Sequence, residues 1–172
     1  QLLKFLSAYA ARTLWLELSV DLSEFESPFD LLFGSDSSRT GYEAFVARML
    51  SGGLVSFFEE YSVLARVLST TVELWVEATV ELIERYRADA DAIQAMLGLR
   101  GELTVARVDP SLSDPHHGLR SVAILTFGSG QRLVYKPRGL SIEVAWNALL
   151  DWLGQPGSPV TFRTFHVLEH DD

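Results

Sequence analysis

Residues 132–138 read "RLVYKPR" and follow a Gly-Ser-Gly tripeptide at residues 128–130. An apolar stretch after such a tripeptide predicts the second strand of a hairpin, with a glycine in the left-handed region of the turn. Side chains alternate along a strand, so Lys136 is expected on the same face as Val134. Pro137 has no amide hydrogen to continue a ladder, and the strand is predicted to end before it.

Lys136 is unusual because only Lys4 and Lys136 are lysines among the 14 basic residues. An ammonium group at the end of a strand can reach into a cleft and bind phosphate oxygens as a compact charge. A hydrophobic strand that ends in lysine is also found in protein kinases. The alternative is a lysine on an edge strand whose charged tip lies in water. The residues by themselves leave both interpretations open.

The segments on either side of this hairpin predict a small sheet and one helix. The runs "ELTVARVD" at 102–109 and "RSVAILTF" at 120–127 are typical of strands, and the second is apolar on both faces. After residue 138, Ser141 is placed to cap a helix whose first turn contains Glu143, favourably placed for the helix dipole. A last strand is predicted for "VTFRTFHVLEH" at 160–170.

The first hundred residues are predicted to be helical. Apolar residues recur at helical spacing over 2–18, a loop follows through residue 41, and a short helix over 44–50 ends at Gly-Gly. Residues 54–97 lack proline and are predicted to form one long helix or two, ended by Gly98. The predicted class is therefore α+β, with a helical region at 1–100 and a small antiparallel sheet with one helix at 101–172.

Composition and charge exclude several classes of function. A net charge of −9 without a basic stripe argues against a nucleic-acid partner. The absence of cysteine excludes disulfides and thiolate zinc sites within these residues. No uninterrupted apolar run reaches the roughly 18 residues that a membrane span needs. We therefore expect a cytoplasmic protein, and the first residue, Gln1, suggests a fragment of a longer chain.

Four further residues are candidates for a site. Asp114, His116 and His117 lie together in the loop before the second predicted strand, where they could support a bound nucleotide or simply form the turn. Arg138 follows Pro137 and could contact an anion or face water. These alternatives stay open on spacing alone.

A metal site is not expected among these residues. His166 and His170 lie far along the chain from the loop of His116, and nothing in the sequence brings them to it. The Gly-Ser-Gly tripeptide lacks the spacing of a phosphate-binding loop and joins two strands, so it is predicted to be a plain hairpin turn.

The stretch "DPHHGLRSVAILTFGSGQRLVYKPRGLSIEVAWNALLDWLG" at 114–154 resembles the dehydratase domain of the class II lanthipeptide synthetases, the type 2 lantibiotic enzymes. The shared pattern includes Asp114, His116, Ser-x-Gly, "LVYKPR" and "LLxWL", and the helical run at 57–68 is also similar. This chain departs from the family pattern in the loop, where Ser113 and Leu119 stand at glycine positions, and at Gly139, which stands at a serine position. The resemblance covers most of residues 54–170, the N-terminal part of that domain.

The resemblance implies a kinase-like N-lobe that binds ATP, with extra helices around it. Such enzymes phosphorylate Ser and Thr of a precursor peptide and then eliminate phosphate to form dehydroamino acids. Lys136 would be the catalytic lysine that holds ATP phosphates, with Asp114, His116 and Arg138 as further ATP-binding residues. The Mg²⁺ ligands, the C-lobe and a zinc-containing cyclase domain are expected beyond Asp172, so the fragment alone is expected to be inactive.

The expected partner is the precursor peptide, and the resemblance also implies association of the full-length protein with an export transporter. Two alternatives remain at this stage. One is a peptide-binding or scaffold relative of the same fold without catalysis. The other is a kinase-like phosphotransferase that performs no elimination.

Overall fold

A computed structural model describes residues 1–25, 37–99, 103–110, 113–114, 116 and 118–169. The chain forms two compact units, Gln1–Leu74 and Trp75–Asp172. Helix gives way to strand between Leu97 and Val105, close to residue 100. The division of the chain into functional regions at residue 100 stays a prediction.

The described elements comprise six α-helices, one π-helical turn and three strands. In chain order they are α1 (Leu2–Phe25), α2 (Ser37–Arg48), the π-turn (Met49–Gly53), α3 (Leu54–Glu60), α4 (Ser62–Ala88), α5 (Ala90–Leu97), β1 (Val105–Asp109), β2 (Ala123–Phe127), β3 (Arg132–Tyr135) and α6 (Ser141–Leu153). The α+β class predicted from the sequence is confirmed.

A hydrophobic cluster in the first unit contains the buried residues Phe45, Met49 and Phe57. The kink between α2 and α3 lies in the π-turn, where Gly52 has a φ of 121° that a residue with a Cβ rarely adopts. This kink lets α2 and α3 contribute side chains to the same cluster. The Tyr61 hydroxyl donates a hydrogen bond of 2.7 Å to Glu17 Oε1 on α1 and links the turn after α3 to that helix.

The second unit contains a three-stranded antiparallel sheet in the order β1-β2-β3. Ala123, Leu125 and Phe127 point to one face of the central strand and are all buried. Leu125 and Phe127 pack with Ile93 of α5. α5 therefore packs on one face of the sheet, and the ladder between β2 and β3 fixes the position of β3 beside the central strand.

The hairpin and the end of the helical segment are as predicted. Gly130, in the turn between β2 and β3, has a φ of 83°, and Gly98 ends α5 with a φ of 62°. The segment 54–97 forms three helices, because breaks occur at Tyr61 and Asp89. The first predicted helix is also longer than expected and continues to Phe25.

Part of the predicted early loop is wrong. Residues 26–36 lie outside the described residues, but α2 begins at Ser37, seven residues before the predicted start at Ala44. The glycine in this stretch, Gly41, has the Leu22 side chain so close that an added Cβ would lie 2.4 Å from Leu22 Cδ2. Close packing of α2 on α1 overrides the low helix propensity of the serines and the glycine.

The predicted last strand is also wrong for the described residues 160–169, which adopt no strand. The amide side chain of Asn147 on α6 donates to the carbonyl oxygen of Phe165 at 2.7 Å and accepts from its N–H at 3.2 Å. A side chain thus satisfies the backbone groups that a strand partner would have satisfied. The predicted cap is wrong as well, because Ser141 is the first helical residue and Leu140 occupies the cap position without a side-chain hydrogen bond.

Within the described helices, none combines the length and the apolar character that crossing a membrane requires.

Candidate functional site

The candidate site lies at the end of β3. Lys136 follows directly on this strand, and the N–H of Arg138 donates a 2.9 Å hydrogen bond to the Lys136 carbonyl oxygen across Pro137. This tight turn reverses the chain and brings the two basic residues back toward the start of α6. The sequence places a proline here that cannot continue the ladder, so the strand ends where the turn begins.

Glu143, in the first turn of α6, binds both basic side chains. Lys136 Nζ lies 2.9 Å from Glu143 Oε1. The Arg138 guanidinium donates to both carboxylate oxygens, with 3.3 Å to Oε2 and a close contact to Oε1. Two parallel donors from one guanidinium form a geometrically specific pair with a carboxylate. The three residues therefore form a single ionic cluster.

The electrostatics of this cluster favour an anion. The hydrogen bond from Lys136 is the main cause that lowers the pKa of Glu143 below its ordinary value of 4.5, and the Arg138 hydrogen bond lowers it further. Glu143 is therefore ionised at neutral pH. Because two cations share one carboxylate, the cluster keeps a net positive charge, and its side chains are only partly buried.

The loop of Asp114 and His116 lies at the same end of the sheet as Lys136. Asp109 at the end of β1 pairs with Ile124, and Ala123 at the start of β2 pairs with Tyr135, so the loop leaves the sheet where β3 ends. Asp114 and His116 are both exposed. In the part of the chain that the structure describes, no hydrogen bond or ion pair joins them to Lys136 or Arg138. Asp114 and His116 therefore share with Lys136 and Arg138 only their location at one end of the sheet.

Two other histidines named from the sequence, His117 and His170, lie outside the described residues. Across the described ranges, no group of three or more His, Asp or Glu side chains is arranged to hold a metal ion.

A cavity of about 580 Å³ borders the cluster. Lys136 and Glu143 lie on its wall together with mostly apolar residues, among them Leu82, Tyr86 and Trp146. Asp114, His116 and Arg138 do not line it. The cavity can therefore hold an apolar group beside the ammonium of Lys136, whereas the loop residues face solvent.

The sequence did not point to Glu143 as a site residue. It was expected only to favour the helix dipole, and its position in the first turn of the helix after a strand lysine was the available signal. Glu81 and Arg120, which form an ion pair with 2.6 Å between Arg120 Nε and Glu81 Oε2, were missed completely. Nothing in the sequence links two residues so far apart along the chain.

Residues 61–172, well over half of the chain, match a family model described as a domain of unknown function, DUF4135. The matched range includes the whole ionic cluster and the loop of His116. No curated protein matches the chain.

Proposed function

The chain belongs to the DUF4135 family, whose domain is found in lanthipeptide synthetase-like proteins, and on this basis we propose that it is the ATP-binding part of a class II lanthipeptide dehydratase. In this proposal the complete enzyme phosphorylates Ser and Thr side chains of a precursor peptide and then eliminates phosphate. Residues 1–172 by themselves are proposed to have no turnover.

The observation that carries the proposal is the ion pair between Lys136 and Glu143, with 2.9 Å between Nζ and Oε1. Protein kinases require a lysine at the end of a strand to pair with a glutamate on the following helix before phosphoryl transfer can occur. Here the strand is β3 and the helix is α6. The pair supports a kinase-like lobe more directly than any single residue does.

In the proposed reaction ATP is a substrate and the ionic cluster binds its phosphates. Lys136 would contact phosphate oxygens as a point charge, while Glu143 fixes the direction of the ammonium group. Arg138 would add a second cation, and Asp114 and His116 would support the phosphates from the loop. Neutralised phosphate charge and correct alignment supply most of the rate in this class of reaction. Mg²⁺ ligands are proposed to lie outside residues 1–172.

The test is coexpression of a precursor peptide with the complete natural protein and its Lys136→Ala variant, followed by mass spectrometry of the peptide. We expect the substitution to lower phosphoryl transfer by about 10²-fold or more, because one preorganised charge at the reacting group is worth that much. Lys4→Ala is the matched control, since Lys4 is the other lysine of the chain and is exposed on α1. This control should leave the peptide masses unchanged.

The product masses separate the proposal from its alternatives. A peptide that first gains a phosphoryl group and then eliminates phosphate, so that it ends one water lighter than the starting peptide, supports the dehydratase. Phosphate gain without water loss would indicate a phosphotransferase that performs no elimination. A wild-type protein that binds the peptide without changing its mass would overturn the catalytic proposal in favour of a scaffold.

A further inference from the structure

Glu81 lies in the second half of α4. Its two carboxylate oxygens bind two arginines. Oε2 lies 2.6 Å from Arg120 Nε, and Oε1 lies 3.1 Å from Arg85 Nη2. The Glu81 side chain is 21% exposed. A carboxylate that is largely shielded and bound by two guanidinium groups holds both of them in defined directions.

The first arginine belongs to the loop that carries His116. The N–H of His116 donates to the carbonyl oxygen of Arg120 at 2.9 Å, and the N–H of Arg120 donates to the carbonyl oxygen of His116 at 3.0 Å. The turn between them contains Gly118 and Leu119 with φ values of 80° and 63°. His116 and Arg120 therefore form the two sides of a narrow turn. An interaction that fixes the position of Arg120 also fixes the position of His116.

The second arginine leads to β3. Arg85 lines the same cavity as Tyr135, the residue before Lys136, and its guanidinium contributes to the electrostatics of the Tyr135 hydroxyl. Burial raises the pKa of Tyr135, so the hydroxyl stays protonated at neutral pH. Glu81 is thus linked to His116 through Arg120 and, through Arg85, reaches Tyr135, the residue before Lys136.

We propose that Glu81 is a positioning residue that keeps the His116 turn and the Lys136 end of β3 in one fixed arrangement, through Arg120 and Arg85. The inference rests on the proposed function, since it concerns the same site, but it adds a residue that touches no substrate. Without the carboxylate, two guanidinium groups would face each other without the anion between them, and like charges at short range repel. The turn would then move relative to β3.

The test combines kinetics with amide hydrogen exchange in the complete protein, comparing Glu81→Gln with Glu84→Gln. Glu84 lies on the same helix, is exposed, and undergoes the same loss of charge. For Glu81→Gln we expect kcat to fall about 10-fold to 100-fold, because small misplacements of reacting groups cost that much. The KM for ATP should rise by less than kcat falls, because the Lys136 cluster still binds the phosphates and only the support from the loop is lost. Glu84→Gln should change neither constant.

Exchange supplies a measurement that needs no substrate. In Glu81→Gln the amides of His116 and Arg120 should exchange about 10-fold faster, whereas those of Leu125 and Leu133 in the β2–β3 ladder should not change. Unchanged exchange at His116 and Arg120 would overturn the inference. Equal loss of protection in the ladder would also overturn it, since Glu81 would then stabilise the unit as a whole.

Variants of the partner arginine provide a second route. Arg120→Leu should reproduce the loss of kcat, Arg120→Lys should recover part of it, and Glu81→Gln combined with Arg120→Leu should cost no more than the worse single change. Additive losses in the double variant would contradict action through one contact. Absence of phosphoryl transfer in the wild type would overturn the proposed function alone. Hydrogen exchange at His116 and Arg120 would still measure whether Glu81 fixes the position of the turn.

Discussion

Glu143 binds both basic side chains of the ionic cluster, Lys136 and Arg138, and their arrangement depends on it. Lys136 stands out in the sequence because lysine is so rare in this chain. The role of Glu143 could not be predicted in the same way, because it depends on the turn at Pro137 that brings Arg138 back over the helix start. Lys136 could be identified from its residue type, whereas its partner Glu143 could be identified only from the backbone geometry.

The ion pairs of Glu143 should make stability depend on pH. The pKa of Glu143 in the folded protein lies below 4.5, so its contribution is complete above that pH and is lost as pH falls through the folded pKa. We expect Glu143→Gln to lower the Tm at neutral pH, with a difference from wild type that shrinks below pH 4.5. Thermal unfolding measured from neutral pH to below pH 4.5 tests this prediction. Asp151→Asn on the same helix is the control. A constant difference at all pH values would contradict the assignment.

Tyr61 gives the opposite pH dependence at the alkaline end. Its hydrogen bond to Glu17 is the main cause that raises the pKa of Tyr61 from 10.0 to about 12. The raised value means that the contact stabilises the fold fully below pH 10 and is lost as pH rises toward 12.

Tyr61→Phe should therefore lower the Tm at neutral pH, and the difference from wild type should disappear between pH 10 and 12. Tyr42→Phe serves as the control, because the side chain of Tyr42 is 54% exposed. Equal effects of the two substitutions would show that the hydroxyl of Tyr61 makes no special contribution.

At the scale of elements, the β2–β3 hairpin depends on one glycine. Gly130 has a φ of 83°, and no atom lies within 4 Å of the place where a Cβ would be added. Any cost of Gly130→Ala is therefore backbone strain, and we expect a loss of about 1 kcal/mol in the free energy of unfolding.

Gly139 is the matched control for this substitution. It has equally open surroundings, and its φ lies outside the left-handed region. Unfolding in urea measures the free energy of unfolding of both variants, and Gly139→Ala should be neutral or slightly stabilising, because alanine restricts the unfolded chain. Similar losses at both positions would mean that strain at Gly130 does not hold the hairpin.

Local chemistry explains which elements could be predicted from sequence. The hairpin at Gly130 and the end of α5 at Gly98 were predictable because a glycine with positive φ marks each of them. The structure of residues 160–169 could not be predicted in this way, because a strand requires a neighbouring strand as hydrogen-bond partner. The side chain of Asn147 binds the backbone of Phe165 instead. The start of α2 depends on packing against Leu22, which no local pattern records.

At the scale of the whole molecule, charge and exposed apolar surface act against each other. The net charge is −9 and the isoelectric point is about 4.9, while large apolar side chains such as Trp15, Trp152 and Phe165 are exposed. We expect association to be strongest near pH 4.9, where charge repulsion vanishes and apolar contacts remain. Light scattering at pH 4.9 and at neutral pH checks it. Equal scattering at both would show that net charge does not keep the molecules apart.

The open edge of β3 has a consequence for that association. The strand order leaves β3 at one side of the described sheet, with Val134 51% exposed between Arg132 and Lys136. If two copies met edge to edge and antiparallel about Val134, Arg132 of one would lie opposite Lys136 of the other. Like charges directly opposite each other destabilise a strand pair, so these side chains act as gatekeepers against intermolecular β-sheet growth. Lys136→Ala removes one gatekeeper, and its self-assembly has to be measured before any loss of activity is assigned to phosphate binding.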